Sequence, residues 1–139
     1  KNIHFTRQRR KSQLLANIIS EEVREIELDP KESFIRKAMK VIEENIMDTD
    51  FKVDRFSAEM CMSNTVLHRK FRLYTGTTPN QFIRLVRLRR SVMLLRNSNY
   101  TIAEIANLTG FNQSHYFIKC FREVYNETPG SFREKGRDQ

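Results

Sequence analysis

A short pattern is written twice along this chain, about 50 residues apart, and a repeat of that period requires a fold built from two equivalent units. Val53, Phe56, Leu67, Phe71, Pro79 and Phe82 of the first copy are answered by Ile102, Ile105, Phe117, Phe121, Pro129 and Phe132 of the second. The turn segments Cys61-Met62-Ser63 and Gly110-Phe111-Asn112 also correspond, with the second copy one residue longer just after its turn. Each copy reads as a helix, a tight turn, a second helix and a loop ending in Thr-Pro-x-x-Phe. Two short helices joined in this way form a helix-turn-helix, whose second helix commonly enters a DNA major groove.

Apolar residues recur at helical rather than alternating spacing, and the chain has only 4 glycines and 3 prolines. The expected fold is therefore all-α, with two helix-turn-helix subdomains joined by a long linker helix and an extra N-terminal helix. The expected divisions are residues 1–30 for an N-terminal linker or signalling helix, 31–78 for the first subdomain, 79–98 for the linker helix and 99–139 for the second subdomain. Phe5 to Leu28 carries an apolar stripe of Leu15, Ile18 or Ile19, Val23 and Ile26, and Asp29-Pro30 marks a break after it. From Ser33 to about Met47 a further helix turns Phe34, Ile35, Ala38, Met39, Ile42 and Ile46 inward.

The 139 residues carry a formal net charge of +8, which draws a protein toward polyanions. The distribution is sharper than the total. No acidic residue occurs between Glu59 and Glu104, an interval that holds Arg69, Lys70, Arg72, Arg84, Arg87, Arg89, Arg90 and Arg96. Glu43, Glu44, Asp48, Asp50, Asp54 and Glu59 crowd the stretch before it, which suggests one face for phosphates and another turned away. A solvated basic face is the alternative reading of the same charges.

No apolar run approaches the roughly 18 to 20 residues needed to span a membrane, and Lys1-Asn2-Ile3-His4 does not open a secretory signal. A soluble, cytoplasmic protein without membrane contact is expected, cut from a longer chain because no initiating Met is present. Cys61 and Cys120 lack zinc-ligand spacing, and the glycines follow no phosphate-cradling pattern. Both thiols are expected to be reduced and partly buried. No metal, cofactor or catalytic residue is expected.

Residues advance about 100° each around a helix, so the reading helices can be sorted by face. In the first, Leu67, Phe71 and Tyr74 fall inward, and Thr65, His68, Arg69 and Arg72 fall outward. In the second, Phe117, Phe121 and Val124 fall inward, and His115, Ile118, Lys119 and Arg122 outward. The outward cations match, Arg69 with Lys119 and Arg72 with Arg122. Between the units, Thr78 caps and Pro79 opens a helix reaching about Asn97, roughly 30 Å long, against about 34 Å between successive major-groove windows. Its Leu85, Leu88, Val92 and Leu95 are expected to pack on both units, with Arg84, Arg87 and Arg90 near phosphates or simply solvated.

The segment from about Phe34 to Arg133 resembles the C-terminal DNA-binding domain of AraC-type transcription regulators. The resemblance rests most on Ile102-Ala103-Glu104-Ile105-Ala106, on Gly110-Phe111-Asn112-Gln113-Ser114-His115-Tyr116-Phe117, and on Phe121 and Thr128-Pro129. Met62-Ser63, Leu67, Phe71 and Gly76 fit in the first half, whereas Cys61 stands where a Gly is common and Ser57 where an Ala is common. The stretch Lys52 to Gly76 is similar to output domains fused to hybrid two-component sensors or response regulators.

The resemblance implies base-reading roles for Thr65, His68, Arg69, Ser114, His115 and Lys119. It implies phosphate contacts for Arg72, Arg84 and Arg122 and for the backbone near Ser63 and Thr101. It implies an activator that binds double-stranded promoter DNA and recruits RNA polymerase. An upstream receiver or sensor domain and a homodimer through the N-terminal helix complete the expected partners. A helical protein-interaction module with nonspecific nucleic-acid affinity is the competing reading from the residues themselves. An enzyme of the alkyl-acceptor repair class would need a cysteine cluster that this sequence lacks.

Overall fold

The structure, a computed structural model, describes residues 13–17 and 29–137. By compactness it separates into residues 1–37 and residues 38–139. In the first unit residues 13–17 are helical, with Leu14 and Leu15 61% and 57% exposed. The rest of the helix expected from Phe5 to Leu28 lies outside the described residues.

Asp29 and Pro30 begin a helix. Asp29 Oδ1 accepts the Lys31 N–H at 3.0 Å, and Pro30 takes the first helical position, where its missing N–H costs nothing. This helix, α1, runs Pro30–Glu44. It buries Ala38, Val41 and Ile42, and the turn after it buries Ile46. The others are α2 (Val53–Glu59), α3 (Asn64–Thr75), α4 (Pro79–Asn97), α5 (Ile102–Leu108), α6 (Ser114–Tyr125) and α7 (Pro129–Arg137), and no strand occurs among the described residues.

Both helix-turn-helix turns share one hydrogen-bond geometry. Met62 N–H reaches Ser57 O and Cys61 N–H reaches Ala58 O, both at 3.0 Å; Phe111 and Gly110 repeat this on Ala106 and Asn107 at 2.8 and 3.2 Å. These are Schellman-type endings, which require a left-handed residue after the helix. Gly110 supplies it at φ 87°, and Cys61 adopts it at φ 59° despite its side chain. Cys61 is also exposed rather than partly buried; only Cys120 is buried.

The two units have parallel aromatic cores. Phe56 meets Phe71 at 5.6 Å and Phe71 meets Phe82 at 4.9 Å between ring centroids. In the second copy Phe117, Phe121 and Phe132 meet edge to face in the same order, at 5.9 and 5.7 Å. Helix α4 serves both: Phe82 enters the first set, and Leu88 and Leu95 join Ile105, Ala106, Phe111, Phe117, Cys120 and Phe121. Such a helix is apolar on several sides, and Ile83, Val86, Leu88, Ser91 and Leu95 are all buried. Leu85, expected inward, is 40% exposed because burial is met by these neighbouring positions instead. Val124 is likewise 42% exposed. At the end of α6 the inward place passes to Tyr125, whose ring lies 4.6 Å from Phe121 and 6.4 Å from Phe132.

Arg87 departs most from expectation. It is 5% exposed, and its guanidinium donates to Ile46 O (2.7 Å), Thr109 O (3.0 Å), Asp48 O (3.1 Å) and Phe51 O (3.4 Å). Burial lowers its pKa and the charge of Asp48 opposes that, but a guanidinium remains cationic. It is therefore a structural cation and not a phosphate contact. A Cβ at Gly110 would lie 1.1 Å from Arg87 Nη1 and 2.4 Å from Ile46 O, so glycine is needed there for space as well as for φ. A second clasp closes the far end of α4, where Arg133 donates to Leu95 O, Ser98 O and Tyr100 O at 3.1, 3.3 and 2.6 Å.

Gly110→Ala should cost about 4 kcal/mol, combining the strained backbone with displacement of the guanidinium. Gly76→Ala, at φ 73° with nothing within 4 Å of its added Cβ, should cost only about 1 kcal/mol. Urea denaturation of the two variants checks the difference, and equal losses would refute the Arg87 contact as the cause. Arg87→Met, which keeps bulk but removes the donor to four carbonyls, of which Asp48 O retains the Phe51 N–H, should lose about 3 kcal/mol in the same assay.

Candidate nucleic-acid interface

Helix α3 starts where Ser63 caps it, its Oγ accepting the Val66 N–H at 3.2 Å, and ends at Gly76 in the left-handed region. Leu67 and Phe71 are fully buried, which turns Thr65, His68, Arg69 and Arg72 outward as exposed residues. Helix α6 follows Gln113, which makes no side-chain cap, and ends at Asn126 with φ 63°. Burial of Phe117, Cys120 and Phe121 leaves His115, Lys119 and Arg122 exposed, with Ser114 and Ile118 half-buried. The two helices thus present equivalent faces, each with two cations one turn apart.

Among the described residues, ion pairs join Arg55 to Asp48 and Glu59, and Lys135 to Glu127. The bond from Arg55 also holds the Asp48 carboxyl below the usual carboxylate range. Arg69, Arg72, Lys119 and Arg122 belong to none of these pairs and are exposed on the two faces.

The expected phosphate contacts occupy mixed positions. Arg84 on α4 is half-buried and donates to Tyr116 Oη at 3.2 Å, a bond that raises its pKa. Tyr116, 42% exposed, was not singled out by sequence reasoning, since no helical spacing links it to a residue on another helix. The two border a cavity of about 340 Å³ whose lining includes Thr49, Lys52, Asn80 and Asn112 and no carboxylate. Thr101 caps α5 in a reciprocal box: its Oγ1 accepts from Glu104 N at 3.1 Å while its N–H donates to Glu104 Oε1 at 2.8 Å. Its backbone N–H is therefore engaged, whereas its hydroxyl acts in the box only as an acceptor. The Ser63 hydroxyl likewise serves its cap as an acceptor, which leaves its proton to donate.

Asn64, the first residue of α3, is also absent from the sequence-based set. Its Nδ2 donates to Asp54 Oδ1 at 2.8 Å and its Oδ1 accepts from Ser57 Oγ at 2.5 Å, tying the start of the reading helix to α2. The corresponding residues in the second unit are Ala103, Ala106 and Ser114. Among the described residues no group of three or more His, Cys, Asp or Glu is placed to hold a metal ion, and no helix is long and apolar enough to cross a membrane.

Comparison with known proteins assigns this arrangement. A family pattern described as a helix-turn-helix domain matches residues 56–135. "Histidine kinase P4" of Formosa agariphila is 37% identical over 108 residues, covering 78% of this chain and 8% of that protein. The "HTH-type transcriptional activator RhaS" of Salmonella arizonae is 35% identical over 94 residues, covering 61% of this chain and 34% of the activator. The chain therefore spans a minor part of either relative. Among solved structures, the DNA-binding domain of AdpA, described as a global transcriptional factor in complex with a target DNA, superposes with a TM-score of 0.67 at 27% identity, covering 80% of this chain and 96% of that one. With its paired helix-turn-helix units on one linker helix, the chain belongs to the AraC-type helix-turn-helix family of DNA-binding domains.

Proposed function

We propose that this chain is the DNA-reading output domain of a signal-transduction protein and that it activates transcription from promoter DNA. The observation that carries the reading is the matched pair of exposed faces on α3 and α6, with Arg69 answered by Lys119 and Arg72 by Arg122. Helix α4, at 19 residues, is about 28 Å long, near the spacing of adjacent major-groove windows. Thr65, His68 and Arg69 would read bases from the first helix, and Ser114, His115 and Lys119 from the second. Arg69 is suited to guanine, because a guanidinium bonds O6 and N7 together. Arg72, Arg84, Arg122 and the helix starts near Ser63 and Thr101 would hold phosphates, setting register without naming sequence. The residue divisions 31–78 and 99–139 would then be the two reading subdomains.

The likeness to a protein named a histidine kinase supports an upstream receiver or sensor, and the likeness to a named activator supports recruitment of RNA polymerase. Pairing of two chains through the N-terminal segment would add affinity by effective concentration.

In vitro selection of the purified chain on random duplex DNA, at two salt concentrations, should enrich two unlike boxes about one helical turn apart. A pool that stays random at both salts would leave only electrostatic attachment and favour a protein-interaction module. Arg69→Ala should weaken binding to the selected site by about 1 to 3 kcal/mol and relax one base pair; equal weakening on random DNA would count against base reading. Arg72→Ala should weaken selected and random DNA alike, with a salt slope shallower by about one, measured by fluorescence anisotropy across a salt series.

A further inference from the structure

His68 sits in the middle of the first reading face, and its ring is held by its own helix. Nδ1 lies 3.0 Å from the Asn64 carbonyl oxygen, one turn back. A carbonyl oxygen only accepts, so Nδ1 carries the proton, and Nε2 of the neutral ring is left with an open lone pair. Asn64 is itself fixed, because the Asp54 carboxylate can only accept and so sets which way the Asn64 amide faces. The Ser57 hydroxyl then meets the amide oxygen. Two side chains of α2, the exposed Asp54 and the buried Ser57, thus hold the residue whose carbonyl holds the His68 ring.

We infer that His68 reads its base pair as a hydrogen-bond acceptor, through Nε2, and so selects an amino base, adenine or cytosine, on the strand it faces. In the major groove the base-edge amine donors are adenine N6 and cytosine N4, whereas guanine and thymine offer acceptors. The neighbouring Arg69 is donor-only and favours the opposite, keto class. The first box therefore pairs one amino position with one keto position. The second box carries no such rule, because Ile118 occupies the place of His68 in α6. This inference rests on the DNA-reading function proposed above.

Two measurements test it. The first needs no DNA: nitrogen-15 NMR of the imidazoles, with His68→Gln to assign the signal among the 3 histidines, should show neutral His68 protonated at Nδ1 and bare at Nε2. The Nε2-protonated form would overturn the inference. The second compares selections with the natural chain, His68→Ala and His68→Lys. The natural chain should discriminate amino from keto bases about tenfold at one position of one box. His68→Ala should flatten that position alone, and His68→Lys, a donor only, should move it to guanine or thymine. A His68-dependent preference for guanine or thymine in the natural chain would overturn the acceptor assignment and leave the regulator reading standing. A preference untouched by His68→Ala would overturn the role of His68. A random pool with the natural chain would overturn the DNA-reading function itself.

Discussion

The buried guanidinium of Arg87 is the contact on which the arrangement of the two reading helices depends. Chain segments that end in irregular backbone leave carbonyls without partners, and burying them costs free energy unless a donor arrives. Here the turn after α1, the segment leading into α2 and the end of α5 all direct carbonyls to one place, and the middle of α4 supplies the donors. One planar, multidentate cation therefore ties the linker helix both to the support of the first unit and to the turn of the second. Lysine, a point charge with three donors, could not reach four acceptors spread in this way. The same group makes Gly110 obligatory, since its guanidinium fills the space that any side chain there would need.

That dependence explains why the two copies of the repeat diverged at the turn. Cys61 and Gly110 adopt the same left-handed backbone and close the same hydrogen bonds. Only the second turn faces Arg87, so only the second is confined to glycine, whereas the first carries the smaller penalty of a side chain at positive φ. Around the turns the copies also use different materials. The first joins its two helices through Asp54, Ser57 and Asn64 and caps its reading helix with Ser63. The second places Ala103 and Ala106 at the corresponding sites and begins its reading helix from Gln113 without a side-chain cap. Directional bonds hold the first reading helix at its start, and the Phe111, Phe117 and Tyr116 rings, 5.2 and 5.9 Å apart at their centroids, pack the start of the second.

Much of this was legible in the sequence because it is local. The repeat, the Pro79 start with its Thr78 cap, and the outward positions of Arg69, Arg72, Lys119 and Arg122 follow from spacing and capping chemistry that act within a turn or two of helix. What escaped is long-range. Arg87 lies 41 residues from Ile46 and 22 from Thr109, and as one basic residue among several on α4 it carries no local mark of burial. The i, i+4, i+7 rule placed Val124 inward, but near the end of α6 the packing partner changes to Phe132, and Tyr125 follows it. Leu85 failed for a related reason: a helix buried on several faces has no single stripe for periodicity to find.

A linker buried on several faces also bears on function. If α4 were solvated, each reading unit would move independently and a second groove contact would help the first only through tethering. Phe82 packs in the first aromatic set, Leu88 and Leu95 in the second core, and Arg87 and Arg133 clasp backbone along its length. Reorienting one unit against the other would have to open these contacts together. The spacing between α3 and α6 is therefore set by folded-state packing, and the entropy of aligning two readers on one duplex is largely met when the chain folds rather than when it binds. In the proposed reading, specificity then lies in a few exposed side chains on a rigid frame. On such a frame the orientation of a single ring, such as His68 held by Asn64, carries the base choice inferred for it.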